Sequence, residues 1–332
     1  MDLGEPLHAR LLYAHLQRHG SAHLAEAPDE QALGWIGHAH ELTLPLASTQ
    51  PPLPHPEVAS APVVTNQMLP GPGDLRQRFV QAKVFTHPTA MDQILTRRLP
   101  GLLDELGDPR CWFVRYRTPQ EEDHLRLRIA APGPAEHTVV TRALARWTAC
   151  LQSDALASRL VFDGYRPELG RYGTGAALHA AEWVFTADSD TVRYALTDLV
   201  GLDRAVLCAL GMIDIARGLL GDAQGTRWMT TATAPIAGEP SATRQTRAYA
   251  PTGALAQHPG WTARLDDAWQ RRRTALHAYR AHVAEPQVDG VLESLLHMHH
   301  NRLMGPDREA EAVCRHAARQ ACHSLLAREA EQ

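Results

Sequence analysis

The chain has 332 residues, of which 44% are hydrophobic and 21% are charged, and these fractions are typical of a globular protein rather than a disordered or fibrous one. Lys and Arg number 33 and Asp and Glu number 37, so the net charge of -4 gives no overall positive field to attract nucleic acid. No apolar run approaches the roughly 20 residues of a membrane span, and the first residues lack a signal-peptide pattern, so we expect a soluble, cytoplasmic protein without membrane contact.

The first part of the chain is predicted to be an appendage. A helical pattern covers residues 6–18, and a strand-like alternation covers residues 40–46. A proline-dense stretch over residues 49–56 follows, and its composition is typical of an extended linker. We therefore predict an appendage and Pro-rich linker over residues 1–75 and a folded domain over residues 76–332.

Within the domain, strand patterns come first and helical patterns follow. The predicted strands cover residues 78–85, 111–117, 124–130 and 159–165, and helical spacing lies between them at residues 90–106 and 136–151. Later helices are predicted at residues 176–185, 192–219, 261–283, 291–304 and 309–329, with a long loop over residues 225–260. This order predicts an α+β fold, with an antiparallel or mixed sheet in the N-terminal half packed against a mostly helical C-terminal half.

The third predicted strand concentrates basic side chains on one face. Its period of two places His124, Arg126 and Arg128 together, opposite a face of leucines and an isoleucine. The second strand carries Arg115 and Arg117 on one face, and in one hairpin register all five basic side chains share a surface. Such a surface is either a solvated sheet face or a site for bidentate capture of carboxylate or phosphate. We favour the anion site, because like charges placed opposite each other on a sheet repel.

Two later segments carry further polar candidates. Arg171 and Tyr172 precede a predicted helix start, where anions are favoured. On a C-terminal helix, His297 and Asn301 share the non-core face and suit proton transfer, whereas His299 falls in the apolar stripe and is predicted to be a core histidine. The histidines lack a suitably spaced carboxylate and the five cysteines form no C-x-x-C pair, so no metal site is predicted.

Several short motifs occur in a fixed order along the domain. They are Trp112-Phe-Val-Arg-Tyr116, His124-Leu-Arg-Leu-Arg128, Tyr165-x-Pro-Glu-x-x-Arg-Tyr-Gly173, Ala181-Glu-Trp-Val-Phe185 with Asp188-Ser189, and His297-Met-x-x-Asn-Arg302. This set resembles the thiopeptide-type bacteriocin biosynthesis family over about residues 76 to 328. The family comprises the C-terminal elimination domain of class I lantibiotic dehydratases and its stand-alone relatives, including thiopeptide pyridine synthases.

The resemblance implies a stand-alone lyase, the glutamate-elimination component of a split dehydratase, because the chain is too short to hold the family's glutamylation domain. Such an enzyme converts glutamylated Ser or Thr of a ribosomal precursor peptide to dehydroalanine or dehydrobutyrine, without a cofactor. Its expected partners are that peptide, leader and core, and a separate glutamylation subunit. By resemblance, the catalytic residues are Arg126, Arg128, Arg171 and His297, and the substrate-binding residues are Arg115, His124, Glu168, Tyr172, Asn301 and Arg302.

Two alternatives follow from the same resemblance. A pyridine synthase would join two dehydroalanines by a formal aza-Diels–Alder cyclisation and expel the leader peptide. The arginine set and the two motifs that include Arg171 and His297 favour elimination, whereas Gly-Thr-Gly over residues 173–175 and the acidic loop over residues 120–123 depart from the family pattern. The second alternative is a non-catalytic subunit that binds the leader peptide.

Overall fold

A computed structural model of the chain describes residues 4–24, 74, 77–231, 241–251 and 253–330, and the chain divides into two units, residues 1–58 and 59–332. In the first unit the described residues contain one helix, α1 (Pro6–His19), where a helix was predicted. The strand predicted over residues 40–46 and the linker predicted over residues 49–56 lie outside the described residues.

The second unit contains a four-stranded antiparallel sheet with the strand order β2-β3-β1-β4. The strands are β1 (Phe79–Phe85), β2 (Cys111–Tyr116), β3 (His124–Ala130) and β4 (Arg159–Asp163), each within two residues of its predicted bounds. The adjacent strands β2 and β3 pair as the predicted hairpin.

Helices connect the strands and cover the apolar face of the sheet. Between β1 and β2 lie α2 (Pro88–Gln93), a π-helical turn (Ile94–Arg98) and α3 (Leu99–Glu105). Between β3 and β4 lies α4 (Pro134–Ser153), which contacts β1 and β4 and buries a stripe that includes Val140, Leu144 and Leu151. The apolar side chains that alternate along β1 and β3 form the other half of this core.

The described remainder of the second unit is helical, where the sequence predicted helices and one long loop. It contains α5 (Leu169–Tyr172), α6 (Ala176–Asp198), α7 (Arg204–Leu220), α8 (Asp222–Thr231), α9 (Ser241–Tyr249), α10 (Ala263–Arg280), α11 (Val288–Met304) and α12 (Arg308–Ala330), with 3-10 turns at Leu255–Gln257 and Glu285–Gln287. The α+β class is therefore confirmed. Among the described helices, none is long and apolar enough to cross a membrane.

The predicted boundaries near α6 are wrong. We expected a break over residues 186–191, but α6 continues through this polar stretch. Thr186 and Thr191 are buried, and each hydroxyl donates to the backbone carbonyl four residues earlier. The break comes instead after Asp198, because Gly201 takes a φ of 95° and Asp203 caps α7 by accepting from the Ala205 amide at 2.8 Å.

The predicted loop over residues 225–260 is also wrong in part, because it contains α9 and the end of α8. Both helices pack against α12. Their threonines are weak helix formers, but Thr226 and Thr246 are buried and each bonds to the carbonyl four residues earlier. Packing against α12 therefore decides the conformation of a stretch whose composition favours a loop.

The observed register of β2 and β3 is not the one that would bring all five basic residues onto one surface. Arg115 pairs with Leu125 and lies on the apolar face, while the three basic residues of β3 lie on the other face. Arg117 lies beyond the last residue of β2. The β2 residues that pair with His124, Arg126 and Arg128 are Tyr116, Val114 and Trp112, respectively. We call the face of the sheet that carries His124, Arg126 and Arg128 the basic face.

Candidate active site

A pocket of about 310 Å³ opens on the basic face of the sheet. Its walls come from β2, β3, the segment from β4 into α5, α6 and α11. Eight of the ten predicted site residues line it: Arg126, Arg128, Glu168, Arg171, Tyr172, His297, Asn301 and Arg302. The fold thus brings together residues that lie up to 176 positions apart, from 126 to 302, in one concave site. The other two, Arg115 and His124, are outside the lining.

Arg128 is the arginine best prepared to bind an anion. Its Nε donates to the Gln81 side chain on β1 at 2.8 Å, and its guanidinium carbon lies 5.4 Å from the centre of the Tyr165 ring. Removal from water lowers the pKa of Arg128 to about 10, so it stays charged at neutral pH. Among the described residues, no carboxylate lies within ion-pair distance of it. A desolvated guanidinium without a counter-ion favours a carboxylate ligand.

Arg126 is already neutralised by its neighbours. Its Nη2 lies 2.9 Å from Glu121, in the acidic loop that departs from the family pattern, and its guanidinium stacks over the ring of Tyr116. Its Nε donates to His124 Nε2 at 3.2 Å. His124 is buried, and burial lowers its pKa, so its Nδ1 donates to the carbonyl of Glu122 at 2.7 Å and its Nε2 accepts. His124 therefore orients Arg126 and does not face the pocket.

Glu168, Arg171 and Tyr172 come from the short connection between β4 and α6. Glu168 and Arg171 are both exposed and form an ion pair of 2.8 Å at the mouth of the pocket. Tyr172 is buried, and its backbone carbonyl accepts from the hydroxyl of Tyr279 on α10 at 3.0 Å. Gly173 then turns the chain with a φ of 86°, and a Cβ there would lie 2.8 Å from a Cβ in the first turn of α6.

His297 forms a dyad with Glu311, a contact that was not predicted from the sequence. The Nδ1 of His297 on α11 lies 2.7 Å from an oxygen of Glu311 on α12. Burial opposes ionisation of Glu311, but the His297 hydrogen bond and the charge of Arg315 outweigh it and lower the pKa of Glu311 to about 2. An ionised carboxylate can only accept, so the neutral imidazole carries its proton on Nδ1 and keeps Nε2 as the basic atom. The contact depends on how two helices pack, which no local motif encodes.

Asn301 and Arg302 join the pocket to the outer edge of β2. The amide of Arg115 donates to Asn301 Oδ1 at 3.0 Å, and Arg302 Nε donates to the carbonyl of Phe113 at 3.1 Å. The Ser189 hydroxyl on α6 accepts from the Phe113 amide at 3.2 Å. Because β2 lies at the edge of the sheet, these side chains take the place of a neighbouring strand.

Arg115 acts from the far side of the sheet. Its Nε donates to the backbone carbonyl of Arg302 at 2.8 Å, and its Nη2 pairs with Asp92 at 2.6 Å. The observed hairpin register turns Arg115 away from the basic face, so it does not share a surface with the basic residues of β3. Its contacts hold α11 against β2.

Other lining residues were not among our candidates. Tyr165 and Arg166 belong to the same motif as Glu168 and Arg171, so that motif could have identified them as site residues. Arg166 is exposed and, within the part of the chain that the structure describes, has no carboxylate partner. No group of three His, Cys, Asp or Glu residues among the described residues is arranged to hold a metal ion.

Comparison with known proteins identifies relatives of this chain. A family model described as the lantibiotic biosynthesis dehydratase C-terminal region matches residues 80–322. The subtilin biosynthesis protein SpaB of Bacillus subtilis is 27% identical over 114 residues, which are 33% of this chain and 11% of SpaB. The chain therefore spans only a small part of this relative.

Two solved structures share the fold. The tRNA-dependent lantibiotic dehydratase MibB from Microbispora sp. 107891 superposes with a TM-score of 0.65 at 22% identity, over 76% of this chain and 28% of MibB. The pyridine synthase TbtD from thiomuracin biosynthesis superposes with a TM-score of 0.51 at 13% identity, over 76% of this chain and 99% of TbtD.

Proposed function

Because the chain belongs to the lantibiotic biosynthesis dehydratase C-terminal family, we propose that its pocket removes glutamate from glutamylated Ser or Thr residues of a ribosomal precursor peptide. The products are dehydroalanine and dehydrobutyrine. The observation that carries this proposal is Arg128, a desolvated guanidinium without a carboxylate partner among the described residues, in the same pocket as the His297–Glu311 dyad.

Above all, the elimination reaction requires stabilisation of the negative charge that develops on the substrate. The bond from Cα to hydrogen and the bond from Cβ to the ester oxygen break, a Cα–Cβ double bond forms, and glutamate leaves as a carboxylate. Negative charge therefore develops on the enolate oxygen and on the leaving group. In this proposal Arg128 and Arg171 supply N–H donors to these oxygens. The desolvated Arg128 is the more effective of the two, because such donors act most strongly where water is excluded.

His297 is the group that takes the α-proton in this proposal. Its Nε2 carries the lone pair when Nδ1 donates to Glu311. Proton transfer to Nε2 makes an imidazolium, which the ionised Glu311 stabilises at 2.7 Å. The same proton is then available for return to solvent after glutamate leaves, so no cofactor takes part.

The substrate defines two partners. The precursor peptide must reach the pocket with glutamate already attached, and a separate glutamylation subunit must attach it. SpaB is named as a subtilin biosynthesis protein and MibB as a tRNA-dependent lantibiotic dehydratase, and this chain spans only part of each. We therefore place the chain after a glutamylation step in the same biosynthesis.

Cyclisation by a pyridine synthase is the second candidate, because TbtD is matched over 99% of its length. The chemistry of the pocket supports elimination instead. Two dehydroalanine side chains carry no carboxylate, so their cycloaddition gives Arg128 no anion to bind. Glutamate elimination uses that charge directly.

Mass spectrometry distinguishes the candidates. We expect purified protein to release glutamate from a glutamylated precursor peptide and to leave a fully dehydrated peptide unchanged. Arg128→Lys keeps the charge but loses the bidentate fork, so elimination should slow by about 100- to 1,000-fold. Arg146→Lys, at an exposed arginine of α4, is the matched control and should retain the wild-type rate.

Three outcomes would overturn the proposal. Leader expulsion from the dehydrated peptide with formation of a new ring would show a pyridine synthase. Tight binding of peptide with no change of mass would show a binding subunit. A wild-type rate in Arg128→Lys would show that the bidentate fork of Arg128 takes no part in the reaction.

A further inference from the structure

We propose that Asp188 is a positioning residue, which fixes α11 from the neighbouring helix α6 so that His297 and Asn301 keep their places in the pocket. This inference rests on the proposed elimination function. Asp188 lies outside the pocket lining, and the mechanism above does not use it.

Asp188 is a buried carboxylate with three cationic or N–H partners. It is 2% exposed. One oxygen accepts from His299 Nδ1 at 2.8 Å and from Arg272 at 2.9 Å, and the other accepts from Arg302 at 2.9 Å. Burial opposes its ionisation, but these partners outweigh burial and hold the pKa of Asp188 well below its usual range. It is a permanent anion at the junction of α6, α10 and α11.

Two of the three partners belong to α11 and lie on either side of Asn301. A helix held at two positions three residues apart, His299 and Arg302, can neither rotate about its axis nor slide along it without breaking one contact. His297 and Asn301 project from the same turns of α11 into the pocket. Their placement therefore depends on the two contacts that Asp188 makes with the same helix.

His299 is held from a second side by Gly211 of α7. A Cβ built at Gly211 would lie 2.0 Å from His299 Nε2, so the ring packs directly on the glycine backbone. Among the described residues, Nε2 has no hydrogen-bond partner. Burial lowers the pKa of His299, so its ring is neutral and donates from Nδ1. The ring is a spacer between α7 and Asp188 and not a proton carrier.

Asp214 provides an internal comparison. It lies on α7, is 5% exposed, and accepts from the same Arg272 at 2.8 Å and from Arg273 at 2.6 Å. Within the described residues it has no hydrogen bond or ion pair to α11. If Asp188 served only to neutralise Arg272, the two carboxylates would be equivalent. The contacts to His299 and Arg302 are what set Asp188 apart.

The test compares Asp188→Glu with Asp214→Glu. Both variants keep the charge and add one methylene to a buried carboxylate, so their melting temperatures should fall by similar amounts. In Asp188→Glu we expect kcat for glutamate release to fall by about 10- to 100-fold with little change in KM, because a displacement of roughly 1 Å at a catalytic group has this effect. In Asp214→Glu both constants should stay close to wild type.

A second measurement reads the position of His297 without relying on turnover. The NMR resonance of the His297 ring should shift in Asp188→Glu and stay in place in Asp214→Glu. If Asp188→Glu fails to fold, Gly211→Ala displaces the same His299 ring without changing any charge and should give the same selective loss of kcat and the same shift of the resonance.

The outcomes separate this inference from the proposed function. Equal kcat values and an unmoved His297 resonance in both Asp variants would overturn the positioning role while wild-type elimination stands. If the wild type releases no glutamate, the proposed function fails, and the His297 resonance alone decides whether Asp188 positions α11.

Discussion

His297 and His299 lie two residues apart on α11, and their carboxylate partners come from different helices. His297 is exposed at 46% of its side chain, lines the pocket, and donates to Glu311 of α12. His299 is almost fully buried and donates to Asp188 of α6. The helical period of the sequence was sufficient to assign the two histidines to different faces. On an α-helix, side chains two positions apart point roughly 160° away from each other.

Alanine substitutions should separate these two histidines. His297→Ala leaves Glu311 paired with Arg315 at 2.9 Å, so the melting temperature should not change. Loss of a positioned base should slow elimination by about 100- to 10,000-fold, and glutamylated peptide should accumulate. His299→Ala removes a buried ring and one partner of Asp188, so it should cost stability first, by about 2 kcal/mol.

Thermal denaturation and peptide mass spectrometry on both variants provide the readout. A wild-type elimination rate in His297→Ala would remove His297 from the mechanism. A lower melting temperature in His297→Ala than in His299→Ala would reverse the structural assignment of the two rings.

At the level of single residues, the sequence could not predict which basic side chains form ion pairs. Alternation along β3 was sufficient to place Arg126 and Arg128 on one face. It could not show that Arg126 is bound by Glu121 while Arg128 lacks a carboxylate among the described residues. That difference depends on the path of the loop before β3, and a loop conformation has no hydrophobic period from which to predict it.

Elements show a similar division between what the sequence encodes locally and what packing decides. Strands β1 to β4 and helices α10 to α12 were predicted from period and turn residues. The register of β2 on β3 was not, because the loop between them closes through bonds between Thr118 and Glu121, and a one-residue change would move Arg115 to the other face. Likewise α9 forms in a Thr-rich stretch because α12 covers it.

The turn from α5 into α6 is the element on which Arg171 and Tyr172 depend. Gly173→Ala would force a side chain into a φ of 86° and bring a Cβ to 2.8 Å from that of Ala177. We expect a loss of stability of about 1–3 kcal/mol and slower elimination as α5 shifts. Gly101→Ala in α3 is the control, because a Cβ there meets nothing within 4 Å and should stabilise the helix by about 0.5–1 kcal/mol.

Denaturant unfolding and elimination rates measured on both glycine variants check this expectation. Equal stability in Gly173→Ala and the wild type would show that α5 tolerates a shifted turn. A loss of stability without any loss of rate would show that Arg171 is not needed at its observed place.

For the whole molecule, the sequence was sufficient to predict the α+β class and to assemble most of the pocket. The chain carries a net charge of -4, and it spans 28% of the tRNA-dependent dehydratase MibB. We therefore expect purified protein to convert pre-glutamylated peptide without any nucleic acid, because the ester is already formed. Elimination rates measured before and after nuclease treatment should agree. A strict requirement for glutamyl-tRNA would contradict the assignment of this chain to the second half of the reaction.

The closure of the β2 edge has a consequence for how relatives of this chain can diverge. Ser189, Asn301 and Arg302 occupy backbone groups of Phe113 and Arg115 that would otherwise be a template for a strand of another copy. Under the proposed function the same two residues also line the active site, so turnover and freedom from self-association both depend on Asn301 and Arg302. A relative without glutamate elimination would still need both residues to keep its sheet from assembling, so their presence alone does not mark a relative as an active enzyme.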